Sequence, residues 1–200
     1  PLVAWAFNVG TDHDIAFSEW NGESWDETEF LTATAADEVD PRLHVDAQGV
    51  AHQVWWETGP VERIWLTSRP AGEESWNPAV AVIEGGRRPT VASDGVAVCI
   101  AFERHAPAGG QEIVLATGQS DGTFALQVVA RTSRNEALDS LLHVEGGRIW
   151  LDWKNSEATL AYSVLGEGGW SSPASVAWAD ETWVGEEIAR RLIRSSVLQP

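Results

Sequence analysis

One pattern constrains this chain more than any other: it repeats itself about every fifty residues. NGESWDETEFL (21–31), AGEESWNPAVAV (71–82) and GEGGWSSPASVAW (166–178) share a Gly/Glu-rich turn, a Trp, a polar pair and a strand-like run. QSDGTFALQVV (119–129) is a weaker copy with Phe124 in the Trp place. Trp25, Trp76, Phe124 and Trp170 are therefore 51, 48 and 46 positions apart. Such a period is that of propeller blades, each a supersecondary unit that cannot bury its apolar face alone.

Two more series keep step with the first. VAWAF (3–7), QVWWE (53–57), CIAFE (99–103) and LDWKN (151–155) form one. DIAFSEW (14–20), RIWLTSR (63–69), EIVLATG (112–118) and TLAYSVL (159–165) form the other. DPRLHVDAQG (40–49), RPTVASDG (88–95) and SLLHVEGG (140–147) precede the later units as short apolar strands ending in Asp/Gly or Glu/Gly turns. Each unit thus reads as four short strands, and no amphipathic helix of useful length occurs before residue 184. The pattern predicts an all-β chain, a four-bladed β-propeller of four-stranded antiparallel sheets. The later blades span about 39–86, 87–136 and 137–180. The first, about 1–38, lacks its opening strand. RRLIRSS (190–196), within the tail 181–200, is the candidate to supply it and close the ring. EEIARRLIR also has helical spacing, so the tail has a competing reading.

A formal charge of −17 argues against nucleic acid and anionic membrane surfaces as partners. No apolar run is long enough to insert into a membrane. The single cysteine, Cys99, sits in VAVCIAF and reads as a small buried hydrophobe. The chain has no Met, which points to trimming and is compatible with an extracellular, periplasmic or cell-surface setting.

Pro41 to Trp55 follows the pattern P-x-L-x-V-D-x-x-G-x-x-H-x-V-W. A Gly, Trp, Ser, Pro turn pattern runs from Gly72 to Pro78 with Asn77 in the Ser place, and more loosely from Gly168 to Pro173. In these features the chain resembles the sialidase-type, Asp-box-like propellers. The resemblance covers nearly the whole chain and implies fold more than function. Ser120-Asp121-Gly122-Thr123-Phe124 is the nearest thing to an Asp box, but its spacing is compressed and it lacks the Trp. A sialidase site also implies three arginines and a Tyr beside a Glu. Tyr162 is the one tyrosine and falls in a repeated strand position, so sialidase activity is not expected.

The repeated aromatics read as packing residues, and Trp5, Trp55 and Trp153 as fillers between blades. Function is sought where a unit differs from its siblings. Trp56 and Trp65 are candidate ligand contacts, and Trp183, beyond the last strand, a candidate contact to another chain. His44 and His143 hold matching places, and with Asp46 and Glu145 could line a central channel and hold a metal or water cluster; a structural hydrogen-bonding role is the plainer alternative. Asp12 and Asp14 are candidate oxygen ligands for Ca²⁺ or another divalent ion. Asp152 interrupts the apolar strand RIWLDW and needs a partner, Arg148 or a tail arginine, unless it faces the channel. It is the weak catalytic candidate.

Twelve Trp against one Tyr favour a glycan ligand. The expected role is a non-catalytic binding module for a glycan or protein partner at the loop face. The alternatives are a glycan-processing enzyme using Asp152 and a second carboxylate, and a subunit of an extracellular assembly, an oligomer docking through its tail.

Overall fold

A computed structural model describes residues 1–119, 122–132, 139–155, 159–166 and 169–177. These residues contain no helix, and so none long and apolar enough to cross a membrane. They form sixteen strands in four antiparallel sheets, the four blades of an all-β propeller.

The first sheet is β1 (Leu2–Asn8), β2 (His13–Glu19) and β3 (Glu29–Phe30), in that order. The second is β4 (Asp37–Val45), β5 (Ala51–Thr58), β6 (Arg63–Arg69) and β7 (Val80–Glu84). The third is β8 (Arg87–Ser93), β9 (Val98–His105), β10 (Gln111–Gly118) and β11 (Phe124–Thr132). The fourth is β12 (Leu141–Glu145), β13 (Arg148–Asn155) and β14 (Thr159–Gly166), with β15 (Gly169–Trp170) and β16 (Ala174–Ala177) both paired to β14.

Consecutive sheets stack face to face, β1 and β2 on β4, β4 and β5 on β8, and β8 and β9 on β12. Period-2 alternation gives each strand two apolar sides, one for each neighbouring blade. In β9, Ile100 and Phe102 pack with Val54 and Ile64 of the second sheet, while Cys99 and Ala101 pack with Leu142 and Leu151 of the fourth. This fixes the blade register. Trp55 opposite Trp65 corresponds to Phe102 opposite Val114 and to Trp153 opposite Ala161. In the third blade the register is thus one residue away from the sequence alignment, which set Ala101 against Trp55.

The repeated aromatics pack as expected, with one exception. Trp76 meets Phe17 of the preceding sheet edge-on at 5.7 Å, and Phe124 and Trp170 pack on the apolar clusters between sheets. Trp25 is 46 % exposed and touches Trp20. Trp55 and Trp153 are buried between blades; Trp5 is half-buried.

The blades have two ends. At one, here the crossover end, the chain passes from one sheet to the next and the β1–β2, β5–β6 and β9–β10 turns lie. Gly86 makes one such crossing, where an added Cβ would lie 2.7 Å from Ile64 and 2.8 Å from Phe102. At the far end lie the turn 46–50 and the loop 70–79.

Candidate functional site

The crossover end carries a repeated irregularity. Asp40, Arg88 and Asp139 have φ of 51°, 50° and 46°, the only non-glycine residues in the left-handed region among those described. Each sits at the start of an inner strand. In β4 and β8 the ladder slips at that point, between Val39 and Arg42 and between Arg87 and Thr90, so the extra residue forms a bulge. Such a conformation costs a non-glycine residue about 1–3 kcal/mol and recurs at places where side chains must be re-aimed.

Carboxylates gather just beside these bulges. Glu57 accepts bonds from Arg63 (2.7 Å) and the Trp65 indole (2.8 Å). Glu103, fully buried, pairs with Arg88 at 3.3 Å and accepts the Asp139 amide at 3.1 Å. Glu112 takes Arg131 at 2.8 Å and Arg104 at 2.9 Å, and these two bonds hold its carboxyl below the usual range. The His13 ring, 2.8 Å away, does the same for Asp37.

Glu38 behaves differently. It is 2 % exposed, stands opposite Glu57 in the ladder, and its Oε2 has no hydrogen-bond partner among the described residues. Burial raises its pKa, and the charges of Asp14 and Glu57 add to that; Thr32 and Trp55 act the other way. Arg87 is half-buried, and its Nε also lacks a partner among the described residues. The indole Nε1 of half-buried Trp56, at the same end of the adjacent sheet, is in the same position. Sequence reasoning passed over Glu38 and Arg87. The signal for Arg87 was available, a basic pair before Pro89 in a strongly acidic chain.

The residues singled out from sequence fall in several places. Trp56 and Trp65 are both half-buried; Trp65 also stacks on Trp55 with centroids 6.3 Å apart. Trp183 and the tail lie outside the described residues. His44 and Asp46 share a buried group at the far end with His52, Ser68 and Ser93. His44 Nε2–H donates to the Ser93 carbonyl of the next blade at 3.0 Å. Asp46 caps its own turn by accepting the Gln48 and Val50 amides, and receives His52 Nε2–H at 3.4 Å. Burial lowers the pKa of both histidines.

His143 belongs to a second group on the fourth sheet, with the third sheet packed between. It lies 3.4 Å from Asp152, 3.9 Å from exposed Glu145, and stacks on Trp150. His143 is thus a partner for Asp152 that the sequence reading, which looked to arginine, did not name. Asp14 accepts the Thr34 amide at 3.1 Å and holds the loop behind β3, while Asp12 stays in the β1–β2 turn. Among the described residues, no group of three or more His, Cys, Asp or Glu is arranged to hold a metal ion.

A cleft of about 670 Å³ opens at the far end between the first two sheets, over Leu2 and Phe17 and rimmed by Glu19, Asp26, Glu73 and Glu74. Its cation, Arg69, is already engaged, 2.9 Å from Glu19 and over the Trp76 ring.

No family model matches the sequence, and no curated protein is significantly similar to it. Solved structures are similar in fold. The Hadza microbial sialidase Hz136 superposes with a TM-score of 0.57 at 13 % identity, over 83 % of this chain and 41 % of the sialidase. The α-L-arabinanase of Cellvibrio cellulosa, solved with arabinohexaose, gives 0.53 at 10 % identity, over 92 % and 75 %. The NanB sialidase of Streptococcus pneumoniae gives 0.51 at 11 %, over 82 % and 28 %. The chain thus spans about two fifths of the first of these. The likeness defines the class: this is a β-propeller of the sialidase-like fold.

Proposed function

We propose that this propeller is a carbohydrate-binding module that seats an acceptor-rich glycan at the crossover end of its second and third blades. One observation carries the reading. Trp56 and Arg87 are half-buried side chains at the same end of neighbouring sheets, in a region where Glu57, Glu103 and Glu112 are each paired with arginine. The open part of an indole suits the C–H face of a sugar, and that of a guanidinium its hydroxyl and carboxylate oxygens. The structural neighbours named for sialidase and arabinanase activity make glycans the natural class to test. An extracellular or periplasmic setting goes with that reading.

The test is calorimetric titration with neutral and acidic polysaccharides, arabinan and sialylated glycans among them. Binding is expected, and Trp56→Ala and Arg87→Ala should each weaken it about tenfold or more, a loss of roughly 1.4 kcal/mol. Absence of binding across the panel, or variants that bind like the parent while melting normally, overturns the reading.

The Asp14, Glu38 and Glu57 group favours a second reading, glycoside hydrolysis. A carboxyl whose pKa is raised by burial can act as a general acid beside a second carboxylate. Release of reducing sugar that disappears in Glu38→Gln would establish it.

A further inference from the structure

We infer that the cleft at the far end, between the first two blades, is a docking site for a protein partner, and that it takes an extended segment in which basic and apolar residues alternate. The cleft lies at the opposite end of the blades from the crossover site and is independent of it. Its volume, about 670 Å³, is in the range of sites that enclose a ligand. Its walls are held in place by the chain's own bonds. On one side the Asp26 amide donates to the Glu19 carbonyl at 2.8 Å, and the Asn21 side-chain amide to the Asp26 carboxylate at 2.8 Å. On the other, the Glu73 amide donates to the Pro70 carbonyl at 3.1 Å. A Cβ on Gly49 would come 3.2 Å from that of Ala71, so the turn 46–50 and the loop 70–79 lie against each other.

The floor is apolar and the rim is anionic. Leu2, Phe17 and Ala51 are buried at the bottom and belong to the cluster between the two sheets. Around them stand Glu19, Asp26, Glu29, Glu73 and Glu74, five carboxylates to one basic side chain on the lining. That one, Arg69, is bound to Glu19 at 2.9 Å and lies over the Trp76 ring. A further acceptor lies behind the floor. Strand alternation puts Gln53 on the same face of β5 as Ala51, one step further between the blades. Gln53 is fully buried; its Nε2 donates to the Val54 carbonyl at 3.3 Å, and its Oε1 has no hydrogen-bond partner among the described residues.

These features select the occupant. Charge complementarity calls for cations at the rim, and the floor calls for apolar groups. An extended peptide meets both demands because its side chains alternate. Apolar ones point to the floor, and the lysines or arginines between them reach the carboxylates on either wall with their stems along apolar surface. Its cations and backbone N–H groups are donors, matched to the acceptors on this face. An amino sugar also brings a cation, but its hydroxyls would lose water against Leu2 and Phe17 without gaining bonds. A free polyamine has the charges but no side chains to fill the floor.

The experiment uses the full chain and a labelled short peptide of alternating lysine and leucine, read by fluorescence anisotropy. One peptide should bind per chain, and added salt should weaken it. Glu73→Gln combined with Glu74→Gln should weaken binding about fivefold or more. Glu62→Gln combined with Glu84→Gln removes the same charge at the crossover end and should leave binding within about twofold. All four carboxylates stand in loops or at a strand end, so both double variants should melt with the parent. A second comparison needs no variant. A lysine–serine peptide of the same length should bind about tenfold more weakly or worse, because the floor is then unfilled. Equal weakening by the two double variants overturns the proposal, since net charge alone then draws the peptide. Failure of the lysine–leucine peptide to bind, or equal binding of the lysine–serine one, also overturns it. Displacement by spermine at equal concentration does so in favour of a free polyamine.

Discussion

Trp76 and Trp25 hold the same place in the repeat and have different surroundings. Trp76 lies between Phe17 and the Arg69 guanidinium, whereas nearly half of the Trp25 surface is open. Trp76→Ala should therefore cost about 3 kcal/mol in urea unfolding, the usual size for deleting a packed indole. Trp25→Ala should cost under about 1 kcal/mol, because little contact is lost. Recurrence in the sequence identified the position, and the structure shows why one copy is spared: among the described residues, no sheet packs on the side of the first blade that would meet a preceding blade. Asp152 shows a different limit. A carboxylate in an apolar strand announces that it has a partner, and His143 is reached across the β12–β13 hairpin, diagonal to Asp152 in the ladder, so that the hairpin register rather than the strand's own composition names it.

At the scale of elements, the turn 46–50 and its two histidines form a small acid-sensitive joint between the second and third blades. His44 and His52 are buried, and burial lowers their pKa below the ordinary value. A base whose folded pKa is lowered takes up its proton more readily when unfolded. Its contribution to stability is then complete above the unfolded pKa, near 6.5, and is lost as pH falls from there toward the folded value. Urea midpoints should drop between about pH 7 and pH 5, and His44→Gln should flatten that slope. An unchanged slope would show that other groups set it. The joint was half legible: LHVDAQG reads as a strand and turn, but Ser93, which receives His44, lies 49 residues away. Strand order and the blade period were legible because alternation and turn chemistry are local. The crossover-end site was not, because Arg87 and Trp56 belong to different sheets and come to the same end only through the stacking of blades, as Glu38 and Asp14 do.

The whole molecule is a stack of sheets joined by apolar clusters, and Cys99 lies inside the cluster between the third and fourth. Its thiol is fully buried, hydrogen-bonded to Thr117 at 3.8 Å, and pushed up to about 11. Native protein should resist thiol reagents at pH 8, and labelling should rise with urea along the curve for loss of tryptophan signal. Labelling that runs ahead of that curve would reveal separate opening of the last two blades. Charge acts on the same scale. Six of the nine described basic residues, Arg63, Arg87, Arg88, Arg104, Arg131 and Lys154, are at the crossover end, but so are Asp12, Asp37, Asp40, Glu57, Glu62, Glu84, Glu103, Glu112 and Asp139, and the far end has Arg69 and Arg148 against Glu19, Glu23, Asp26, Glu73 and Glu74. Both ends are therefore acidic on balance, within a chain of formal charge −17. A polyanionic chain diffusing toward the molecule is slowed from either side. Added salt, by screening that repulsion, should quicken their association.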